Sequence, residues 1–412
     1  MTTTNTKMLT PVLIASCLVI LVSLSIRSSF GVFQIPVAST FGWPRAEFSF
    51  AIAIQNLAWG IGAPIFSAFA ERFGDRRAII LGALFYAVGL VLSSYAVTPE
   101  QHQLLEILVG FGIAGTGFGV ILAVVGRASS DKNRSMSMGI ATAAGSGGQV
   151  FGPPIAEYLI NRIGWEPVFL IFAVAILAVL CVLPMMRIPA HAPRKGDEPG
   201  MGQILMQALR DPSYTLIFLG FFSCGYQLGF VTAHFPALIT EMCSAINPNG
   251  ILAGLGIGTT SALGAVAISV IGLVNIVGTI TAGWLGNRYA KKNLLAFIYL
   301  ARTIAAAAFI LLPITPATVL VFSLVMGSLW LATVPLTSGL VAQIYGLRYM
   351  GTLYGIVFLS HQIGSFFGVW LGGRLYDLNG NYNLVWWVGV GVGAFSALVH
   401  LPIRERRLEL AI

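Results

Sequence analysis

The chain has 412 residues, of which 57% are hydrophobic and only 9% charged, whereas a soluble domain carries roughly 25% charged residues. That composition excludes an ordinary soluble domain and describes a polytopic all-α membrane protein. The formal charge of +8 does not argue for nucleic acid, because the basic residues stand singly or in small groups between apolar runs, as orientation signals do. Runs long enough to cross a bilayer, about 20 residues each, centre near residues 25, 58, 88, 114, 147, 176, 226, 270, 303, 330, 362 and 393, which predicts twelve transmembrane helices.

Span one, from about Val12 to Val37, contains Arg27. Ile14-Ala15-Ser16-Cys17 superficially resembles a lipoprotein cleavage box, but most of the apolar run follows Cys17, so the segment is kept as a span. At 1.5 Å per residue Arg27 lies roughly 15 Å from the outer end, too far for comfortable snorkelling. A charge at that depth marks a substrate or ion pathway. The guanidinium is a planar fork of donors that matches a carboxylate and keeps its proton at ordinary pH. Arg27 is therefore expected to bind an anion. A structural ion pair is the competing reading, and it lacks a partner by position, because Glu106 and Glu157 fall near outer ends of their spans.

Span four contains Gly110-Phe-Gly112-Ile-Ala-Gly115, the spelling of a dinucleotide fingerprint, but no strand precedes it and no capping loop follows. Helix packing is the expected role, and the glycines around Gly145, Gly254 and Gly389 are expected to serve the same purpose or to allow bending. Spans six and seven are separated by the polar stretch His191 to Asp211. Span nine contains Arg302, expected to be structural, and span eleven contains His361 beside Gln362. His361 is close to the membrane centre, and its near-neutral reference pKa makes it the candidate for proton coupling; a neutral histidine bonded to a neighbouring helix is the alternative. His234 is nearer an outer end, as a gate or packing residue. Cys17, Cys181 and Cys224 lie in apolar spans and Cys243 beyond one, so no disulfide framework is expected. The sequence contains no metal-ligand cluster, nucleophile elbow or Walker loop, and so predicts neither an enzyme nor a cofactor.

With the N-terminus inside, the inner loops collect the clusters Arg72 to Arg77, Arg127 to Arg134, Arg187 to Arg210, Arg288 to Lys292 and Arg404 to Arg407. The outer loops keep Arg45, Arg162 and Arg374. This inside-positive pattern predicts cytoplasmic termini in a plasma membrane. An internal repeat accompanies it. Ser67 to Phe73 aligns with Gly283 to Tyr289, and at the same offset Met138-Gly139-Ile140 aligns with Tyr354-Gly355-Ile356, and Gly148 and Gly152 with Gly364 and Gly368. Phe30 to Pro36 aligns with Phe230 to Pro236 at a smaller offset, which leaves an insertion in the outer loop at 241–258. Two pseudo-symmetric six-helix bundles follow, 1–189 and 213–412, joined by a cytoplasmic linker 190–212.

The loop Glu71-Arg72-Phe73-Gly74-Asp75-Arg76-Arg77 resembles the signature loop of the major facilitator superfamily, with Ser67 for its usual Gly and Glu71 for its usual Asp. Gly148-Gln149-Val150-Phe151-Gly152-Pro153 is similar to that family's glycine-proline motif, with Pro154 following and Glu157 where a glycine is often found. Within the superfamily, Arg27-Ser-Ser-Phe-Gly-Val-Phe, Phe41-Gly-Trp and His361 resemble the bacterial branch related to monocarboxylate carriers and oxalate/formate antiporters. Thr279 stands where characterised members commonly place an arginine.

The resemblance implies a cavity between the halves, near the membrane midplane, lined by spans one, two, seven, ten and eleven. Gln55, Asn56, Tyr226, Gln227, Trp330 and Gln362 then join Arg27 and His361 as substrate-binding candidates. Glu71, Arg72, Asp75, Arg76, Gly148, Gly152 and Pro153 become the residues of conformational switching, with Glu71 near a helix N-terminus, that of span eleven. The expected activity is secondary transport of a small organic anion, a monocarboxylate, by alternating access, proton-coupled or by exchange, in a monomer within the lipid bilayer. The alternatives are a transport-inactive sensor of a small carboxylate, a carrier of a non-anionic solute and, least supported, a membrane-embedded enzyme.

Overall fold

The structure, a computed structural model, describes residues 10–129, 134–186, 200–346 and 350–406. All secondary structure among them is helical. Helix α1 (Pro11–Phe41) starts where Thr10 accepts from the Leu13 amide and Pro11 occupies the first turn, and it stops at Gly42, whose φ of 67° few other residues tolerate. Helices α2 (Arg45–Phe73) and α3 (Asp75–Ser93) meet at Gly74. Helix α4 (Pro99–Thr116) begins with a capping box between Thr98 and Gln101 and breaks at Gly117 before α5 (Phe118–Ala128), the two forming one span. Helix α6 (Arg134–Ile163) is followed by α7 (Trp165–Ala178), which tightens into a 3₁₀ turn at Val179–Met185.

The short α8 (Met201–Arg210) precedes α9 (Pro212–Met242). The sequence reading made the linker simply polar. Its described part is instead an amphipathic helix, with Ile204 and Ala208 buried and Met206 and Leu209 exposed. After α10 (Ile251–Gly254) come α11 (Thr260–Gly286), α12 (Lys291–Leu311), α13 (Pro316–Leu329), α14 (Thr333–Tyr345), α15 (Met350–Asn379) and α16 (Asn383–His400). Helices α13 and α14 form one broken span.

Eleven of these spans are long and apolar enough to cross a membrane. The 30-residue α6 is as long but rich in Gly and Ser, and completes the expected twelve. The expected insertion is the loop 243–259, which contains α10 and replaces the short turn Gly42–Pro44 at the equivalent place in the first half. Gly254 in that loop has nothing within 4 Å of its Cβ position, so the packing role expected of it is not realised.

The pairings follow the repeat. Helix α1 packs on α6 as α9 packs on α15, and α2 packs on α4 as α11 packs on α13. The halves meet through α2 on α15 and α6 on α11, which the pseudo-symmetry exchanges. Gly148 and Gly152 lie against the backbone of Leu21 and Ser25, leaving no room for a side chain where α6 crosses α1. Leu84, Val88 and Leu92 on α3, Phe297 and Ile304 on α12, and Phe395 and Leu398 on α16 are exposed, as a lipid-facing surface requires.

The ends of the rods gather at two faces. One holds the Arg72 to Arg77 loop, Arg127, Arg210, Lys291, Lys292 and Arg404, and is called here the basic face. The other, the far face, holds Arg45, Glu47, Glu241, Asp377 and Tyr382. Contacts such as Lys292 N to Glu405 Oε1, 2.6 Å, and Ala46 N to Asp377 Oδ2, 2.9 Å, define the two sets.

Candidate functional site

Arg27 is a partly buried side chain on α1. Its Nη2 donates to Asn56 Oδ1 on α2 at 3.1 Å, and its guanidinium lies 5.4 Å from the centre of the Trp59 ring. Its Nε is buried with no hydrogen-bond partner, and no described carboxylate pairs with it. The amide and the indole face in contact with it supply partial charges but no countercharge, which leaves the guanidinium fork open to an anionic guest.

Trp59 leads on to the second half. Its ring is edge-on to Phe358 of α15 at 5.1 Å, and Phe358 stacks on His361 at 5.3 Å with only 10° between the planes. Phe221 of α9 flanks His361 at 5.0 Å, and His361 Nδ1 lies 3.0 Å from Gln362 Oε1. Gln362 is packed against Gly60, where any larger residue would push α2 and α15 apart. A continuous row of rings thus joins Arg27 in one half to His361 in the other. Trp59 and Phe358 were absent from the sequence expectations. The signal was available, since each lies one helical turn from a residue already singled out, Asn56 and His361.

Other candidates are directed elsewhere. Gln55 turns away from Arg27 to α4, where its Nε2 donates to Glu106 Oε2 at 2.6 Å. Tyr226 donates to Val385 O at 2.9 Å and Gln227 to Gly389 O at 3.2 Å. Both face α16 and line a small apolar crevice within the second half, with Trp386 and Met326, apart from Arg27 and His361. The Trp330 carbonyl belongs to the break between α13 and α14. There the fully buried Arg302 donates from Nε and Nη2 to Leu329 O at 3.1 and 2.5 Å, from Nη2 to Trp330 O, and from Nη1 to Cys224 Sγ at 3.3 Å. Arg302 closes the carbonyls that the break leaves open, a structural role as expected. Glu106, placed by chain position near the outer end of its span, lies about two turns into α4 and is wholly buried.

Of the switching residues, Asp75 accepts from Arg127 Nη2 at 2.5 Å, and Arg76 Nε donates to Met186 O at 2.9 Å, tying α3 to the ends of α5 and of the 3₁₀ turn. Arg72 lies over Phe73, and Pro153 follows the close α1–α6 crossing. The Glu71 side chain, and with it the expected contact to span eleven, lies outside the described residues.

At the far face the halves are bound together. Arg45 on α2 pairs with Glu241 of α9, donates to Tyr382 Oη at 3.1 Å and covers the Tyr376 ring at 4.1 Å. Burial pushes the Tyr382 phenol up to about 12, so it remains a neutral acceptor at ordinary pH. Deeper, Gln34 Nε2 donates to Ser49 Oγ at 2.7 Å and lies 3.3 Å from His234 Nδ1, while His234 Nε2 donates to Val369 O at 2.7 Å. This network sets the Nε2–H tautomer. Midway, Asn275 Nδ2 of α11 donates to Ser146 Oγ of α6 at 2.8 Å. At the basic face no described hydrogen bond or ion pair crosses between the halves. The described polar seal is therefore at the far face alone.

Residues 15–369 match the family model described as Major Facilitator Superfamily. The chain belongs to the major facilitator superfamily. It is accordingly a multi-pass membrane transporter of a small molecule and not an enzyme. The "Uncharacterized MFS-type transporter YcxA" of Bacillus subtilis (strain 168) is 25% identical over 397 residues, covering 92% of this chain and 90% of the relative. "Monocarboxylate transporter 13" of Bos taurus is 26% identical over 386 residues, 91% of this chain and 84% of the relative. "Monocarboxylate transporter 12" of Homo sapiens is 23% identical over 393 residues, 90% and 76% respectively. In a major facilitator a polar seal of this kind at the far face belongs to one access state of the carrier.

Proposed function

We propose that this transporter carries a small monocarboxylate, held at Arg27 between two rigid halves, residues 1–189 and 213–412, that rock about the cavity. The single observation that supports the reading is Arg27 itself, with one amide acceptor, one aromatic face, an unpartnered Nε and no described carboxylate. A carboxylate completes the guanidinium fork, and Trp59 and Phe358 form an apolar wall for a short carbon chain. The names of the monocarboxylate transporters 12 and 13 accord with this substrate class. His361, at the other end of the aromatic row, supplies polar contact from the second half. The basic face is assigned to the cytoplasm of a bacterial inner membrane, with both termini there.

The test is Arg27→Gln in proteoliposomes, after a thermal-shift screen of short mono- and dicarboxylates has selected the probe. Binding to the folded state raises its apparent stability. The expected result is loss of uptake and of the ligand-induced shift in a variant that remains folded; unchanged uptake would refute the assignment. Binding without flux in the parent protein would instead indicate a sensor.

A further inference from the structure

Glu106 has no exposed surface and lies against no described arginine or lysine. One carboxyl oxygen accepts from Gln55, but the other, Oε1, has no hydrogen-bond partner. One helical turn away, His102 is 2% exposed and its Nε2 is also without a partner. These two orphaned atoms face each other at 3.7 Å. With neutral His102 in its Nδ1–H tautomer and Glu106 ionised, two acceptors confront each other in a buried space, an arrangement that costs free energy. The Nε2–H tautomer relieves it without any proton uptake, and a proton added to Oε1 relieves it in the Nδ1–H tautomer.

The pair lies between the far face on one side and the residues that hold Arg27 on the other. His102 lies in the first turn of α4 at the far face, stacked on Phe48 at 5.4 Å and near Trp43. Gln55, which holds Glu106, is the chain neighbour of Asn56, which holds Arg27. The charged and titratable groups around Glu106 are His102 on its own helix, Tyr86 on α3 and, toward the far face, Glu47 on α2, while Arg27 on α1 is reached through the neighbouring Gln55 and Asn56 and past Tyr86. Tyr86 is within electrostatic reach of both Glu106 and Arg27, and Glu47 is engaged by Gln103 Nε2 at 2.7 Å.

We propose that His102 and Glu106 form the proton-binding site of this carrier, loaded from the far face and coupled electrostatically to the carboxylate at Arg27. A solvent proton binds His102 Nε2. The N–H bond then breaks as an O–H bond forms on Glu106 Oε1, leaving a neutral imidazole and a neutral acid. The empty cavity balances Arg27 against ionised Glu106. An arriving carboxylate leaves one negative charge in excess unless Glu106 is protonated, so each ligand favours the other. The coupling clause rests on the monocarboxylate reading above; the proton site does not.

The full chain, purified in detergent with no substrate, is titrated by infrared difference spectroscopy. The expected result is a protonated-carboxyl band that titrates in the parent protein and is lost in Glu106→Gln; an identical band in both overturns the site. In proteoliposomes with L-lactate as probe, Glu106→Gln is expected to lose accumulation driven by a pH gradient while keeping lactate–lactate exchange. Retained gradient-driven accumulation, or loss of exchange in monodisperse protein, overturns the coupling. Should Glu106→Gln fail to fold, Glu106→Asp is read instead, a displaced infrared band supporting the site and an unmoved one overturning it. If the parent protein exchanges no lactate but the band still depends on Glu106, the proton site stands and the substrate reading is what fails.

Discussion

Arg27 and Arg302 are both guanidinium groups within membrane spans, one in each half, and they are handled in opposite ways. Arg302 is wholly enclosed and its donors are spent on the Leu329 and Trp330 carbonyls and on Cys224. Arg27 is partly accessible, has a single hydrogen-bond acceptor and keeps an orphaned Nε. Depth alone therefore does not mark a binding cation. What separates the two is whether the fold itself supplies enough acceptors: a broken helix offers free carbonyls to Arg302, while the continuous helices beside Arg27 offer none.

Replacing each arginine should sharpen this contrast. The largest effect on folding is expected for Arg302→Leu, which strands buried carbonyls at the α13–α14 break and should cost about 3 kcal/mol, seen as a lowered thermal transition and poor recovery from membranes. Arg27→Gln is expected to leave the transition within about 1 kcal/mol of the parent, or to raise it, because an unneutralised cation is removed, while uptake disappears. Equal destabilisation by the two variants would break the comparison. Arg27→Lys keeps the charge but not the fork, and should retain binding with weakened affinity.

Smaller effects test the row of rings and the seal. Trp59→Leu removes the aromatic face under Arg27 and should weaken carboxylate binding by roughly 1 kcal/mol, about five- to tenfold in affinity by titration. Arg45→Gln breaks the partly exposed pair with Glu241 and should shift the access equilibrium by about 1 kcal/mol or less. That shift should appear as greater labelling of a cysteine placed at Gln34 in a cysteine-free background. No change in labelling would mean that the Arg45–Glu241 pair does not set that equilibrium.

The contrast also separates what could be read early from what could not. Gln55 and Asn56 are adjacent and chemically similar, and both were reasonable cavity residues, yet a helix turns by about 100° per residue. One therefore meets Glu106 and the other Arg27. Tyr226 and Gln227 likewise turn toward α16 rather than toward the first half. Glu106 was dismissed by chain position because its burial comes from α2 and α3, which a count along α4 does not contain.

From the amino-acid order alone came the membrane class, the twelve rods, the repeat, the arginine in span one and the family resemblance. These rest on length, hydropathy and charge placement, which act locally along the chain. Only the tertiary structure decided which face of each rod looks inward, that Trp59 and Phe358 bridge the halves, that Arg302 is satisfied by backbone while Arg27 is not, and that Glu106 meets His102. Those outcomes depend on the rotation and close approach of helices distant in sequence, set by packing at residues such as Gly60, Gly148 and Gly152, which no pattern within a single span encodes.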